Sequence, residues 1–204
     1  MRIYIVIVSV LVTLQAGCGS SPTASFYTLS ANGTPEADAT AQPTARYRVA
    51  VGPVTLPEMV NRPQFVVRAG ANQVTIAEMH RWAGPLKSEI PRVIAQNLAQ
   101  LLGTRQVSAY PQSATDDADY RVYVDIQRFD SALGEWVTID ALWAIRSASG
   151  EPSAGRSLVQ EPAGGGGYDE LVAAHNRALA RVSRDIAEAI RSADLAQPRQ
   201  EGGK

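Results

Sequence analysis

The sequence has very little cysteine, histidine or net charge. Its 204 residues include one Cys and two His, too few for an internal disulfide framework or for a zinc site of the usual ligand types. Lys and Arg number 19 against 20 Asp and Glu, a formal net charge of −1, so there is no basic excess to bind nucleic acid by counterion release. We therefore predict no metal centre, no cofactor and no nucleic-acid partner.

The remaining composition is typical of a folded globular protein. Hydrophobic residues make up 45% and charged residues 19% of the sequence, which is far from the composition of disordered chains. The length suits a single domain with its own core.

Long apolar runs are also missing, apart from a short one at the amino terminus. Arg2 precedes an apolar run from Ile3 to Val12, about half of the roughly 20 residues that a membrane-spanning helix needs. The small residues Ala16 and Gly17 end this segment. The pattern predicts a signal peptide over residues 1–17.

The only cysteine, Cys18, follows directly after this segment. Its position resembles the cleavage and acylation site of bacterial lipoproteins, with Gln15 standing where that pattern prefers Leu. The alternative is a secreted protein with a free thiol at its amino terminus. In Gram-negative lipoproteins an Asp directly after the Cys signals retention in the inner membrane, and this sequence has Gly19 there. The resemblance therefore implies a lipid-anchored protein on the periplasmic face of the outer membrane.

Hydrophobic periodicity predicts short strands and two amphipathic helices. Apolar runs, most of them alternating with polar residues, predict strands in 26–29, 47–51, 65–67, 74–77, 120–126, 137–145 and 156–160. Spacings of three and four residues predict helices from Pro85 to Leu102, with Gly103 as the stop, and from Leu171 to Ile190. Pro91 requires either a helix start near Ser88 or Glu89, or a bend.

Runs of adjacent strands, each run followed by a long helix, predict an α+β fold, in which a mostly antiparallel or mixed sheet packs against the two amphipathic helices. We expect residues 18–45 to form a lipidated amino terminus with a short strand and a tether, Ala31–Ala45. Residues 46–193 are predicted to form one α+β domain. The tail, 194–204, is predicted to be disordered because it ends in Pro and Gly with nothing to bury.

Three motifs have features of binding sites, but each has a simpler interpretation. Gly164–Gly167 precede a helix, but the Lys of a phosphate loop and the third glycine of a dinucleotide fingerprint are missing, which favours a flexible connector. His175 lies near the apolar stripe of the last helix, which favours a partly buried packing role. Asp116, Asp117 and Asp119 lack the glycine and bidentate Glu of a calcium loop, which favours a solvated turn.

A fourth motif, His80-Arg81-Trp82 with Glu78 nearby, combines an acid, a base and an aromatic platform. No nucleophile motif accompanies it. The simpler interpretation is that Trp82 buries apolar surface at the entry to the first helix and that Arg81 pairs with a neighbouring acid. We therefore predict that the protein is not an enzyme.

Five stretches of the sequence form a recognisable combination of motifs. They are the Phe-Tyr-Thr-Leu segment that follows the Cys, VGPVTLP at 51–57, NRPQFVVR at 61–68, RWAGPL at 81–86 with Asn97-Leu98, and the strand from Tyr120 to Asp130. In order and spacing they resemble the PqiC-type family of ABC-transport auxiliary lipoproteins, also called the YmbA or paraquat-inducible protein C family.

The resemblance implies a non-catalytic outer-membrane lipoprotein that works with a periplasm-spanning MCE-domain protein and, indirectly, an inner-membrane ABC transporter or permease. It implies lipid as the cargo, and the role favours a homo-oligomeric ring that continues the tunnel of the partner. Two other functions stay open, a periplasmic lipid-binding shuttle and an envelope hydrolase. The matching motif residues serve either the fold or an interface: Arg62, Pro63, Gln64, Arg81, Trp82, Pro85 and Leu86.

Overall fold

A computed structural model of the chain describes residues 23–31, 47–110, 117–148 and 151–196. The predicted signal peptide, Cys18, Asp116 and nearly all of the predicted tether and tail lie outside these residues. The last helix runs to Ala196, three residues into the segment predicted as tail.

Eight strands form two sheets. They are β1 (Ser25–Tyr27), β2 (Val49–Thr55), β3 (Gln64–Arg68), β4 (Val74–Trp82), β5 (Val107–Ala109), β6 (Tyr120–Ala132), β7 (Trp136–Ser147) and β8 (Ser153–Pro162). The smaller sheet has the order β1-β4-β3 and the larger one the order β5-β2-β6-β7-β8. Strand β2 runs parallel to both β5 and β6, whereas β6, β7 and β8 are antiparallel.

The two helices are α1 (Leu86–Leu102) and α2 (Tyr168–Ala196). Helix α1 packs against β2 and β5, α2 packs against β7 and β8, and the helices pack against each other. The apolar stripes predicted from the sequence, such as Ile90, Ile94 and Leu98 on α1, are fully buried in this layer. The α+β fold with a mixed sheet against two amphipathic helices is therefore confirmed.

Helix α1 begins at Leu86 and continues through Pro91 to Leu102, so it does not start near Ser88 or Glu89. Pro91 is the sixth residue of the helix, so it lacks the N–H that would otherwise donate to the Lys87 carbonyl, and the helix continues through it despite this loss. The predicted stop is confirmed, since Gly103 has a left-handed backbone (φ 62°) and its N–H donates to carbonyls of the last turn.

Strand β4 is longer than the predicted 74–77 and reaches Trp82. The extra residues are stabilised by β1, which pairs in parallel with residues 80–82, and by Gln64, which lies opposite Arg81. The motif His80-Arg81-Trp82 therefore lies on a strand. Such pairing between distant segments leaves no trace in the local hydrophobic pattern.

The segment 23–31 packs on the same body as the rest of the chain. The N–H of Ala83 donates to the carbonyl of Tyr27 at 2.7 Å, and Leu29 is buried. The N–H of Ser30 donates to Asn176 Oδ1 at 3.0 Å, and Asn176 Nδ2 donates to Ser30 Oγ at 2.9 Å. In the parts of the chain that the structure describes, no helix combines the length and the apolar character needed to cross a bilayer.

Candidate functional site

A cleft of about 280 Å³ lies where the turn after β2 meets the junction between β4 and α1. The turn is held by the N–H of Val60, which donates to the Pro57 carbonyl at 3.1 Å. It is joined to the junction by the N–H of Trp82, which donates to the Pro63 carbonyl at 2.7 Å. The lining residues are Asn61, Arg62, Pro63, Trp82, Ala83, Gly84, Pro85 and Leu86.

Five of the seven motif residues singled out from the sequence line this cleft, although they come from two segments about twenty positions apart. Pro63 and Pro85 have fixed backbone φ angles and no N–H, so the rims of the cleft are rigid and present apolar surface. In the cleft, residues 61–63 and residues 82–86, which belong to two separate sequence motifs, form one continuous surface.

Trp82 forms the inner wall of the cleft and belongs to the core at the same time. Its side chain is buried and stacks on Phe65 with ring centroids 4.0 Å apart. Its ring also makes edge contacts with Phe129 and His175. The packing role predicted for Trp82 is therefore confirmed, and the aromatic cluster fixes the position of the wall.

Arg81 and Gln64 lie beside the cleft and share one acidic partner. Arg81 Nε donates to the Glu78 carbonyl at 2.8 Å, and its guanidinium lies 3.8 Å from the Glu78 carboxylate. Gln64 Nε2 donates to the same carboxylate at 3.2 Å. The predicted pairing of Arg81 with a neighbouring acid is confirmed, and both residues serve the local β3–β4 ladder.

Arg62 differs from Arg81 because its side-chain charge has no partner among the residues that the structure describes. Its backbone N–H donates to the Val60 carbonyl at 2.9 Å. Its side chain is exposed and has no hydrogen bond or ion pair with any residue that the structure describes. A free guanidinium above an apolar cleft suits a ligand or partner that brings a carboxylate or phosphate together with an apolar group.

The structure also contains a hydroxyl–imidazole pair that the sequence did not predict. Ser131 Oγ lies 2.9 Å from His175 Nε2, the separation of a nucleophile and its general base. Both side chains are buried, and the His175 ring stacks on Phe129 at 4.1 Å between centroids. Burial lowers the pKa of the imidazole from 6.5 to about 3.

The surroundings of this pair favour packing over chemistry. His175 Nδ1 has no hydrogen-bond partner among the described residues, so no carboxylate there orients the ring. The neighbouring cavity has a volume of about 10 Å³, too small for a substrate. His175 is thus a core residue, fully buried where the sequence indicated partial burial.

Two other motifs have structural partners of their own. The Glu170 carboxylate lies over the glycines before α2, so a side chain on Gly167 would meet Glu170 Oε2 at 2.4 Å. This carboxylate occupies the space that a phosphate would need, which favours the connector interpretation.

The acidic motif also has a structural partner. Asp119 Oδ2 accepts a hydrogen bond from the backbone N–H of Arg48 at 2.7 Å, which fixes the start of β2. Within the described ranges, no group of three or more acidic, His or Cys side chains is arranged to hold a metal ion.

Comparisons with known proteins agree with this architecture. A family model described as "ABC-type transport auxiliary lipoprotein component" matches residues 27–187. A crystal structure of an uncharacterized protein has 21% sequence identity and a TM-score of 0.67, over 83% of this chain and 99% of that chain. A crystal structure of a protein from Xanthomonas campestris has 17% identity and a TM-score of 0.62, over 82% and 94% of the two chains. At these identities the two structures show the fold alone. A comparison with curated proteins gives no match.

Proposed function

The chain belongs to the family of ABC-type transport auxiliary lipoprotein components, and from that premise we propose that it is a non-catalytic lipoprotein anchored by acyl chains on Cys18 at the periplasmic face of the outer membrane. It serves a lipid-transport system. Its direct partner is an MCE-domain protein of the periplasm, and its indirect partner is an inner-membrane ABC transporter or permease.

The observation that carries this proposal is the convergence of the motif residues on the cleft beside Arg62. Other motif residues have structural roles in the fold. For example, Trp82 stacks on Phe65 and Arg81 forms an ion pair with Glu78. The Arg62 side chain has no such partner among the described residues. The Arg62 guanidinium, placed beside the apolar cleft, is available to a partner, and the rigid apolar rims give that partner a defined surface.

The chemistry of the cleft indicates what the partner presents. A volume of about 280 Å³ accommodates one or two side chains of a partner rather than a whole lipid. Arg62 adds a fork of donors that matches a carboxylate. We therefore propose that a loop or terminus of the MCE-domain protein inserts an apolar residue, with an Asp, a Glu or a terminal carboxylate placed against Arg62.

A closed ring of copies would suit this role, because a ring continues the tunnel of a ring-forming partner without leaving an open end. Light scattering of the purified full-length protein measures the number of copies. A closed ring gives one defined mass, whereas a monomer at all concentrations contradicts this part of the proposal.

The alternative, a periplasmic lipid shuttle, has less support in the geometry. A shuttle needs an apolar pocket of several hundred Å³. A larger groove of about 530 Å³, at the surface between α1 and α2, is lined largely by polar and charged side chains. Its Glu161 pairs with Arg177 and Arg181 at 3.2 Å each. The apolar faces of the helices are buried against the sheet and each other, so they do not line an acyl-chain site.

A pull-down with charge-reversal variants tests the docking proposal. Full-length tagged protein, solubilised from envelopes in mild detergent, is compared with Arg62→Glu and with Arg184→Glu, whose exposed side chain lies on α2. We expect the wild type and Arg184→Glu to capture an MCE-domain protein, identified by mass spectrometry, and Arg62→Glu to capture much less. Mass spectrometry of the proteolytic digest of the captured protein also shows whether the peptide that contains Cys18 carries acyl chains.

Two results would count against this reading. Capture of the partner by Arg62→Glu at the wild-type level would remove the cleft as the docking site. Recovery of the lipidated protein alone, under conditions that preserve other envelope complexes, would argue against the transport partnership and make bound lipid the next thing to measure.

A further inference from the structure

The smaller sheet carries an unusual share of exposed apolar side chains. Four of the eleven large hydrophobic residues exposed among the described residues lie in it. They are Phe26 on β1, with 64% of its surface exposed, and Val74, Ile76 and Met79 on β4, with 36–40% exposed. Isolated exposed apolar residues are common, but a concentration on one small sheet marks a contact surface.

One edge of the same sheet is also incompletely paired. Strand β4 is the central strand, with β3 on one side and β1 on the other. Because β1 pairs only with residues 80–82, the β1 side of residues 74–79 has no strand beside it in the parts of the chain that the structure describes. The unpaired N–H and C=O groups of such an edge need polar partners, which water or lipid headgroups can supply but lipid hydrocarbon cannot.

The direction of the chain indicates what lies next to this surface. Strand β1 is parallel to β4, with Ser25 opposite His80 and Tyr27 opposite Trp82. The chain that enters β1 therefore comes from the side of β4 where Val74 and Ile76 lie. A length of β4 from His80 back to Val74 spans about 20 Å.

The distance from Cys18 to this surface is short. Cys18 precedes Ser25 by seven positions, which gives about 15 Å as a flexible chain and at most about 25 Å when fully extended. The long segment 31–45 does not add to this reach. Residues on its amino-terminal side are already fixed to the body through Leu29 and the hydrogen bonds between Ser30 and Asn176.

The charges beside the surface are compatible with a lipid environment. Glu78 is the one acidic residue in β4. Its carboxylate lies 3.8 Å from the Arg81 guanidinium and accepts a hydrogen bond from Gln64. Contact with a bilayer would therefore not leave an uncompensated negative charge at the boundary.

We propose that the exposed apolar face formed by Phe26, Val74, Ile76 and Met79 rests on the bilayer that holds the Cys18 acyl chains. This inference rests on the proposed acylation of Cys18. The lipid anchor keeps the domain near the membrane, and this surface sets which side of the domain touches it.

Site-specific fluorescence tests the contact. Cys18 is the only cysteine, and its thiol is consumed by acylation. Ile76→Cys therefore gives a unique reactive thiol in the full-length lipidated protein. The matched control is Leu158→Cys, an equally apolar position on β8 of the other sheet with 63% of its surface exposed. Each is labelled with a polarity-sensitive dye and reconstituted in phosphatidylethanolamine–phosphatidylglycerol vesicles containing nitroxide headgroup lipids.

We expect a blue shift and loss of dye emission at position 76, and no change at position 158. Met79→Cys provides a second position on the same strand if Ile76→Cys fails to fold. If the protein is acylated and floats with the vesicles, but positions 76 and 79 behave like 158, the membrane-contact inference is overturned while the anchor stands. If the Cys18 thiol is unmodified and the protein does not float, both the anchor and the contact are overturned.

Discussion

The buried His175 imidazole should make the stability of the fold depend on pH. In the folded protein the ring lies between Phe129 and the edge of Trp82, and its Nε2 lies 2.9 Å from Ser131 Oγ. Burial lowers its pKa from 6.5 to about 3. In the unfolded chain the same ring is solvated and titrates near 6.5. Below that pH the unfolded chain therefore binds a proton that the folded protein does not.

The sign and size of the effect follow from this difference. Stability rises with pH wherever the unfolded state binds more protons, so the contribution of His175 is complete above pH 6.5 and is lost as the pH falls toward 3. Between pH 7.5 and 5.5 the expected loss is about 1.4 kcal/mol, because pH 5.5 is one unit below the unfolded pKa. Carboxyl groups titrate mostly below this window.

Urea unfolding followed by tryptophan fluorescence at pH 7.5, 6.5 and 5.5 measures this loss. The double variant Ser131→Ala/His175→Phe removes both polar groups and keeps a ring of similar size beside Phe129. Any contribution from His80, the second histidine of the chain, is present in both proteins. The wild type should therefore lose about 1.4 kcal/mol more than the variant between pH 7.5 and 5.5. Equal pH dependence in the two proteins would refute the assignment of a neutral, inaccessible imidazole.

Two further predictions concern the sheet and the amino-terminal segment. Gly155→Ala should destabilise the fold by about 1–3 kcal/mol in urea unfolding, because the new Cβ would clash with the Trp143 indole. The control is Gly166→Ala, whose new Cβ would have no atom within 4 Å, and it should change stability by less than about 0.5 kcal/mol. Asn176→Ala removes both hydrogen bonds to Ser30 and should cost about 1–2 kcal/mol locally, seen as faster amide exchange in residues 25–30 without a change in β6.

The elements with strong periodicity could be predicted from the sequence. Helix α1 and its stop at Gly103, helix α2, and the alternating strands that become β6 and β7 all follow from spacings within one segment. The three-residue strands were harder, and β5 was missed because Val107–Ala109 is too short to show alternation. The extension of β4 to Trp82 depends on β1, more than fifty positions earlier in the chain.

The candidate site could be predicted in part. Its motif residues were identified from the resemblance, but their roles differ in ways that local sequence does not encode. Arg62 and Arg81 look alike as exposed cations beside proline-rich motifs. Only the ladder between β3 and β4 shows that Arg81 has Glu78 within reach while Arg62 does not. The contact between Ser131 and His175 joins residues 44 positions apart, so it cannot be predicted from the local sequence around either residue.

The parallel pairing of β1 with β4 also determines how the domain bears mechanical load. If acyl chains on Cys18 hold the protein, as proposed, a pull between membrane and domain reaches the fold through the chain that enters β1 at Ser25. Because β1 pairs in parallel with residues 80–82, a pull directed along β1 would load the β1–β4 hydrogen bonds together instead of peeling them one at a time. Beyond them, the buried Leu29 and the bonds between Ser30 and Asn176 act as a second stop. A strand of three residues can thus serve as a mechanical clamp between the membrane and the folded body.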